Sequence, residues 1–330
     1  MKKILNAPGS VVDEMLQGMT LCHPDIVVRL EGHSVLLRKK KKEGKVALVS
    51  GGGSGHEPSH GGYVGQGMLD AAVSGEVFTS PTPDPILAAV KAVQTDAGVL
   101  LVVKNYSGDV MNFEMAAEMA EAEGIKTAMV VVNDDVAVEN STYTTGRRGI
   151  AGTVFVHKIA GALAEQGASL EEVKAVAEKT IARVRSKGVA LTPCTVPAVG
   201  KPGFSIGESE MELGLGIHGE PGVRRVPIMS AGEIASELLG SIIEDLCIEE
   251  GEEAALLVNG LGGTPLMELY VLAGNALEIC AAKKLRIQKV YTGNFMTSIE
   301  MAGASLSLLR LDDDLKSLLA EPARTPAFIQ

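Results

Sequence analysis

No stretch of this 330-residue chain approaches the roughly 20 apolar residues that a membrane-spanning helix needs. The amino-terminal Met-Lys-Lys-Ile-Leu-Asn-Ala-Pro carries two lysines but no apolar run behind them, so no secretory leader is expected. Cysteine is sparse: Cys22, Cys194, Cys247 and Cys280 are scattered with no CxxC spacing. That pattern excludes a disulfide frame or a zinc site and reads as reduced thiols in a cytoplasmic protein. Basic charge is outnumbered, 30 Lys and Arg against 41 Asp and Glu, for a net charge of -11. General nucleic-acid binding is thereby disfavoured. The run Arg38-Lys-Lys-Lys-Lys42 is a local exception and reads as a solvated turn or helix end. Also missing is a GK[ST] Walker A ending; the Gly51–Gly55 loop is not a GxGxxG turn, and no spacing supplies the three or four ligands that a metal needs. No nucleotide cofactor and no metal are expected on this chain. There is no repeat of solenoid period and no segment of disordered composition.

What is present is ordinary globular material, 46% hydrophobic and 22% charged, enough for one large or two ordinary domains. Short β-rich runs alternate with helical patterns. Strands are expected at Val46–Ser50, Gly98–Lys104, Thr127–Asn133, Ala254–Asn259 and Lys289–Thr292. Helices are expected at Asp84–Thr95, Asp109–Glu123, Ala151–Gln166, Leu170–Ser186, Ala231–Asp245 and Pro265–Ala282. This alternation indicates an α/β layered fold. Periodicity is lost over Leu191–Pro227, which is rich in Gly and Pro, and a second series begins at Ser230. The expected division is an α/β domain over 1–190 and another over 191–330, with the ligand site at their junction.

Two glycine-rich stretches carry histidines. Ser50-Gly-Gly-Gly-Ser-Gly-His-Glu-Pro58 follows the apolar run Lys45-Val-Ala-Leu-Val49, so a strand is expected to run into a loop of backbone amides with His56 at its end. Gly214-Leu-Gly-Ile-His-Gly-Glu-Pro-Gly222 presents His218. Both histidines have little bulk nearby to pack against, and both are read as functional. His23, His33 and His157 are read as structural, and His60 is undecided. Glu57 and Glu220, each between a nearby histidine and a proline, are open to two readings, a metal ligand or a group that orients its loop. The strand ending at Lys104 leads through Asn105-Tyr-Ser-Gly to Asp109, a candidate helix N-cap. Lys104 and Asp109 follow a strand end, as His56 does, so all three can reach one crevice. Together the stretches suggest a site for a small, polar, phosphorylated or phosphorylatable molecule.

Six motifs in order make the chain resemble the K subunits of dihydroxyacetone kinase (DhaK). They are Ser50–Ser59, Gly75-Glu-Val-Phe-Thr-Ser-Pro-Thr-Pro-Asp84, Val103–Asp109, Tyr143-Thr-Thr-Gly-Arg-Arg-Gly149, Cys194-Thr-Val-Pro-Ala-Val-Gly-Lys-Pro202 and Gly216–Gly222. The resemblance covers essentially the whole chain. It implies two α/β domains with mixed sheets. It also implies a phosphotransferase in which His218 holds dihydroxyacetone as a hemiaminal and His56 and Asp109 act as acid and base. The substrate loop falls on Gly53, Ser54, Gly55 and His56, with Lys104 and Asp109. No cofactor is implied on this chain. ADP or ATP and Mg²⁺ belong to a separate DhaL-type subunit, re-phosphorylated by a DhaM-type carrier fed by phosphoenolpyruvate, and the K subunit is expected as a homodimer. The chain stops at Gln330, just after the K region, which resembles the stand-alone type of subunit. Two other functions remain open: a non-catalytic ketone-sensing coactivator similar to DhaK, and, disfavoured by the polar histidine site, a lipid carrier on a related α/β fold.

Overall fold

The computed structural model describes residues 2–139 and 146–330; Tyr143, Thr144 and Thr145 of the fourth motif lie outside the described residues. The described strands form two six-stranded mixed sheets. The first contains β1 (Val27–Arg29), β2 (Val35–Arg38), β3 (Ala47–Ser54), β4 (Ala71–Val77), β5 (Val99–Lys104) and β6 (Thr127–Val132), in the order β1-β2-β4-β3-β5-β6. Strands β4, β3, β5 and β6 run parallel, while β1 and β2 are antiparallel additions. The second contains β7 (Val184–Ala190), β8 (Glu210–Leu213), β9 (Arg224–Pro227), β10 (Glu253–Gly260), β11 (Arg286–Gly293) and β12 (Gly303–Leu311), in the order β11-β10-β12-β7-β8-β9. Only β10 and β11 are parallel there.

Helices α1 (Val11–Cys22), α2 (Pro83–Val93), α3 (Ser107–Ala122), α4 (Thr153–Glu165), α5 (Leu170–Arg183), α6 (Ala231–Leu246), α7 (Leu266–Ala282) and α8 (Asp313–Ala320) cover the sheets. Helix α4 is buried nearly all round, including His157 and Lys158. A helix apolar on every side belongs in the middle of a layered protein. Its Phe155 and Ile159 share an apolar cluster with Leu257 and Leu309 of the second sheet, while Val154, Val156 and Ala160 join the core of the first. Capping boxes start α5 at Ser169–Glu172 and α6 at Ser230–Glu233, each pairing a serine with a glutamate three residues on.

The elements expected from sequence are found, with several corrections. Residues 184–186, expected to end α5, begin β7, which pairs with β12 in the second sheet. The change of sheet therefore comes at Val184 and not after Ala190. The chain's end also returns to the first half, where Arg324 bridges Gln66 and Ala327 N–H donates to Gly62 O. Residues 51–54 are not a free loop: they extend β3 and pair with β4 as far as Ser54. Glycine permits this because a Cβ on Gly51 would lie 2.4 Å from Val73 O, and one on Gly53 2.6 Å from Thr79 N. Asp109 is not the cap of α3; Tyr106 holds that place in extended backbone, and Asp109 is inside the first turn. Arg38, expected in a solvated turn, ends β2 and pairs with Glu165 of α4 and with Asp70.

Candidate functional site

The site forms where the carboxyl ends of β3 and β5 meet two loops of the second half. His56 follows β3 and is fully buried. Its Nδ1 lies 2.8 Å from Thr297 O. A carbonyl only accepts, so Nδ1 carries the proton and Nε2 presents a lone pair. That Nε2 is buried and has no partner. The residues beyond β11 hold the His56 loop in register: Ile299 N–H donates to Gly55 O at 2.8 Å and Thr297 N–H to His56 O at 3.2 Å. Glu57 reaches back two residues to take the Gly55 N–H at 3.1 Å. The Ser54 hydroxyl donates to Gly75 O at 2.7 Å. The polar groups of Ser54 and Gly55 are therefore engaged by Gly75, Glu57 and Ile299.

Lys104, the last residue of β5, is fully buried, and its Nζ lies 3.3 Å from Asp109 Oδ2. Gly52 makes room for it, since a Cβ there would lie 2.5 Å from Lys104 Nζ. Asp109 Oδ1 is buried without a partner. Burial of an ion pair beside a vacant acceptor is unfavourable unless another group completes it.

His218 arrives on the loop after β8. Its backbone N–H donates to Glu220 Oε2 at 3.0 Å. Arg148 Nη1 donates to Glu220 Oε1 at 3.2 Å, Arg148 Nε to Asp135 Oδ2 at 2.8 Å, and Arg148 Nη2 to Gly214 O at 2.9 Å. The loop is thus fastened to the residues following β6 and preceding α4. Gly216 is required by the clamp, because a Cβ there would sit 1.8 Å from Glu220 Oε1. Of their two readings, Glu57 and Glu220 take the loop-orienting one, each accepting a backbone N–H two residues back.

The two histidines were expected to have little to pack against; the structure reverses this. The His56 and His218 rings meet edge to face at 4.7 Å between centroids. Phe78 stacks on His56 at 5.2 Å and stands edge-on to His218 at 5.5 Å. Tyr106 stands edge-on to His218 at 4.2 Å, with Lys104 Nζ 5.6 Å from its ring centroid. Burial, aided by Lys104, lowers the His56 pKa to about 3. Burial first, then His56, Lys104 and Arg148, takes His218 well below its ordinary value. Both imidazoles are neutral near pH 7, the form that is nucleophilic or basic.

Phe78, Tyr106, Asp135 and Arg148 are site residues to which sequence reasoning assigned no role. Phe78, Tyr106 and Arg148 lie inside the quoted motifs, so the signal was present without the geometry to interpret it. His60 and His157 form a buried pair, with Nδ1 of one 3.0 Å from Nε2 of the other. His23 caps the end of α1 through its backbone N–H. Among the described residues there is no group of three or more His, Cys, Asp or Glu side chains placed to hold a metal ion. No described helix is long and apolar enough to cross a membrane.

The model of the Dak1 domain matches residues 17–327. The chain is 57% identical, over 95% of its length and 95% of the relative's, to the dihydroxyacetone-binding subunit DhaK of a PTS-dependent dihydroxyacetone kinase of Listeria innocua. Its fold is similar to that of the dihydroxyacetone kinase of C. freundii in complex with AMP-PNP and Mg²⁺ (TM-score 0.92, 33% identity, 99% of this chain and 61% of that one). It is similar as well to a dihydroxyacetone kinase operon co-activator, Dha-DhaQ (TM-score 0.91, 36% identity, 96% of this chain and 98% of that one). The chain belongs to the Dak1 family, among the K subunits of dihydroxyacetone kinases.

Proposed function

We propose that this chain is the dihydroxyacetone-binding subunit of a phosphoenolpyruvate-dependent dihydroxyacetone kinase, capturing the ketone on His218. The observation that carries this is the His218 ring, edge-on to His56, in a site where His56 Nε2 and Asp109 Oδ1 are buried and have no partner among the described residues. Neither ring nitrogen of His218 is engaged by a described residue, while its backbone is held firmly. Ring nitrogens left free on a firmly held backbone support the part of a nucleophile.

In the capture step a ring nitrogen of His218 attacks C2 of the ketone. The C–N bond forms as the carbonyl π pair moves to oxygen. The proton that this oxygen gains balances the one the imidazole loses, and a neutral hemiaminal results. His56 Nε2, an acceptor, takes the new hydroxyl's hydrogen bond. Glycerol has the hydroxyls but no carbonyl and is excluded by chemistry, where one methylene in a pocket discriminates by only about 1–3 kcal/mol. Covalent attachment also replaces free tumbling with one bond, leaving the terminal hydroxyl in place for transfer.

In the transfer step Asp109 removes the proton of the terminal hydroxyl as its oxygen attacks the γ-phosphorus of a nucleotide. The bond to the β-phosphate oxygen breaks and the nucleoside diphosphate leaves. Lys104, with Nζ 3.3 Å from Oδ2, orients Asp109. Nucleotide and Mg²⁺ belong to a DhaL-type partner, and a DhaM-type carrier restores the phosphoryl group. Gly53–His56 line the substrate. A homodimer is proposed on the exposed apolar stripe of α7, Leu266, Met267, Tyr270 and Val271, beside a hollow of ≈ 250 Å³ that reaches Ile228.

A phosphotransfer assay with dihydroxyacetone tests this, with and without an L subunit supplied with ATP or the phosphorelay. Product should require both. Calorimetry showing micromolar ATP binding to this chain alone would refute the division of labour. The co-activator likeness supports a second reading, ketone sensing without transfer. Retention of His56, Lys104 and Asp109 beside His218 favours the kinase, since sensing needs the capture residue alone. Capture without transfer to any L partner would decide for the sensor.

A further inference from the structure

The hydroxyl of Tyr106 is a polar group that the mechanism above leaves unused. Tyr106 is 4% exposed, and its Oη is buried with no hydrogen-bond partner. Its ring sits in an apolar cluster with Ile150, Ala151 and Ile217, where phenylalanine would pack equally well. A buried tyrosine hydroxyl normally finds a partner, and leaving one unpaired is unfavourable. The hydroxyl therefore calls for a group that the described residues do not supply.

The backbone places the Tyr106 ring beside the reacting centre. Tyr106 N–H donates to Lys104 O at 2.8 Å in the tight turn that ends β5, and the residue is extended. Lys104 and Tyr106 thus leave one short turn, and Asp109, in the first turn of α3, meets Lys104. Tyr106 closes one side of His218 at 4.2 Å, while His56 closes another at 4.7 Å. Burial, with Glu220 adding to it, keeps the phenol well above its usual pKa, so it is a donor at neutral pH.

Three buried atoms around His218 lack partners outside the paired histidines His60 and His157: His56 Nε2, Asp109 Oδ1 and Tyr106 Oη. A captured triose has three oxygens. One is the hydroxyl to be phosphorylated, which Asp109 must reach. One is the former carbonyl oxygen, which His56 takes. We infer that Tyr106 hydrogen-bonds the remaining hydroxyl, at the end that is not phosphorylated, and so determines specificity for a ketone hydroxylated on both sides. The inference rests on capture at His218.

The test compares dihydroxyacetone with hydroxyacetone, which lacks one hydroxyl. Only hydroxyacetone bound with its single hydroxyl at Asp109 can be phosphorylated, so kcat/KM for transfer reports on a methyl group facing Tyr106. With the L subunit present, wild type should favour dihydroxyacetone by roughly ten- to a hundredfold, the discrimination expected of one buried hydrogen bond. In Tyr106→Phe, which keeps the ring, the preference should fall to within a few-fold, through loss of activity on dihydroxyacetone with hydroxyacetone little changed. An unchanged preference in Tyr106→Phe overturns the inference. An equal loss on both compounds also overturns it, because the hydroxyl would then serve the former carbonyl oxygen or His218 itself. Intact-mass measurement separates the underlying reading. No adduct at His218 of wild type with dihydroxyacetone defeats capture, whereas an adduct in both proteins with equal preference defeats only the role of Tyr106.

Discussion

His56 and His218 come from loops of different sheets, yet their rings stand edge to face with centroids 4.7 Å apart. Neither loop holds this arrangement by itself. Thr297, beyond β11, fixes the tautomer of His56, and Glu220, held by Arg148, fixes the backbone of His218. The site exists because the two halves close on each other.

The covalent bond is open to direct measurement. Incubation with dihydroxyacetone should yield an adduct mapped to His218, and His218→Ala should abolish it while leaving the fold intact. An adduct at His56, with none at His218, would exchange their roles.

Capture and transfer should separate at Asp109. Asp109→Asn keeps the shape of the side chain but removes the base, so ketone binding should persist. Phosphotransfer should fall by roughly 10²–10⁴, the usual contribution of a general base. Transfer near the wild-type rate would leave Asp109 only as the partner of Lys104.

The Glu220 clamp predicts a coupled loss of stability and capture. Glu220→Ala deprives the His218 N–H and Arg148 Nη1 of their acceptor, though Arg148 keeps Asp135. Unfolding free energy should drop by about 1–3 kcal/mol, and ketone affinity should weaken as the loop loses its anchor. Chemical denaturation and calorimetry on the same variant report the two effects; unaltered affinity in a destabilised protein would show that the loop is positioned elsewhere.

Acidification gives a further check. A buried histidine with a lowered pKa binds fewer protons folded than unfolded between its two values. Its contribution is full above the unfolded value of about 6.5 and declines as pH falls towards the folded value, about 3 for His56 and His157. Stability should fall across this window by about 1.4 kcal/mol per pH unit for each such histidine. His157→Asn should lower the slope by close to one proton in denaturation curves taken at pH 7, 6 and 5. Ketone capture should stay level down to pH 5.5, because His218 remains neutral; a midpoint near 6.5 would contradict its lowered pKa.

Much of the site was legible because its chemistry is local. A strand end followed by glycines and His-Glu-Pro, and a second glycine run around His218, mark loops whose residues have little other purpose. The α/β alternation was legible for the same reason: β5, β6 and β10 are apolar runs, and α5 and α6 announce themselves with Ser-x-x-Glu. Other strands were not. β1 is three residues long, β8 and β9 are four, and β7 carries Arg185, Ser186 and Lys187 in a run that reads equally well as the end of a helix. Only pairing with β12 commits that segment to a sheet.

The sequence by itself determined which residues are candidates for the chemistry, because reactivity belongs to side-chain type and glycine-rich loops have few competing uses. Tertiary structure decided what those residues became. Asp109, apparently a helix cap, is a buried partner of Lys104 because α3 begins two residues earlier, at Ser107. The glycines expected to form an open nest continue β3, because β4 and Lys104 approach closer than any Cβ would allow. Arg148 and Tyr106 acquire their parts only when the second sheet brings the His218 loop against them. Partners so distant along the chain meet through packing, which no local pattern encodes.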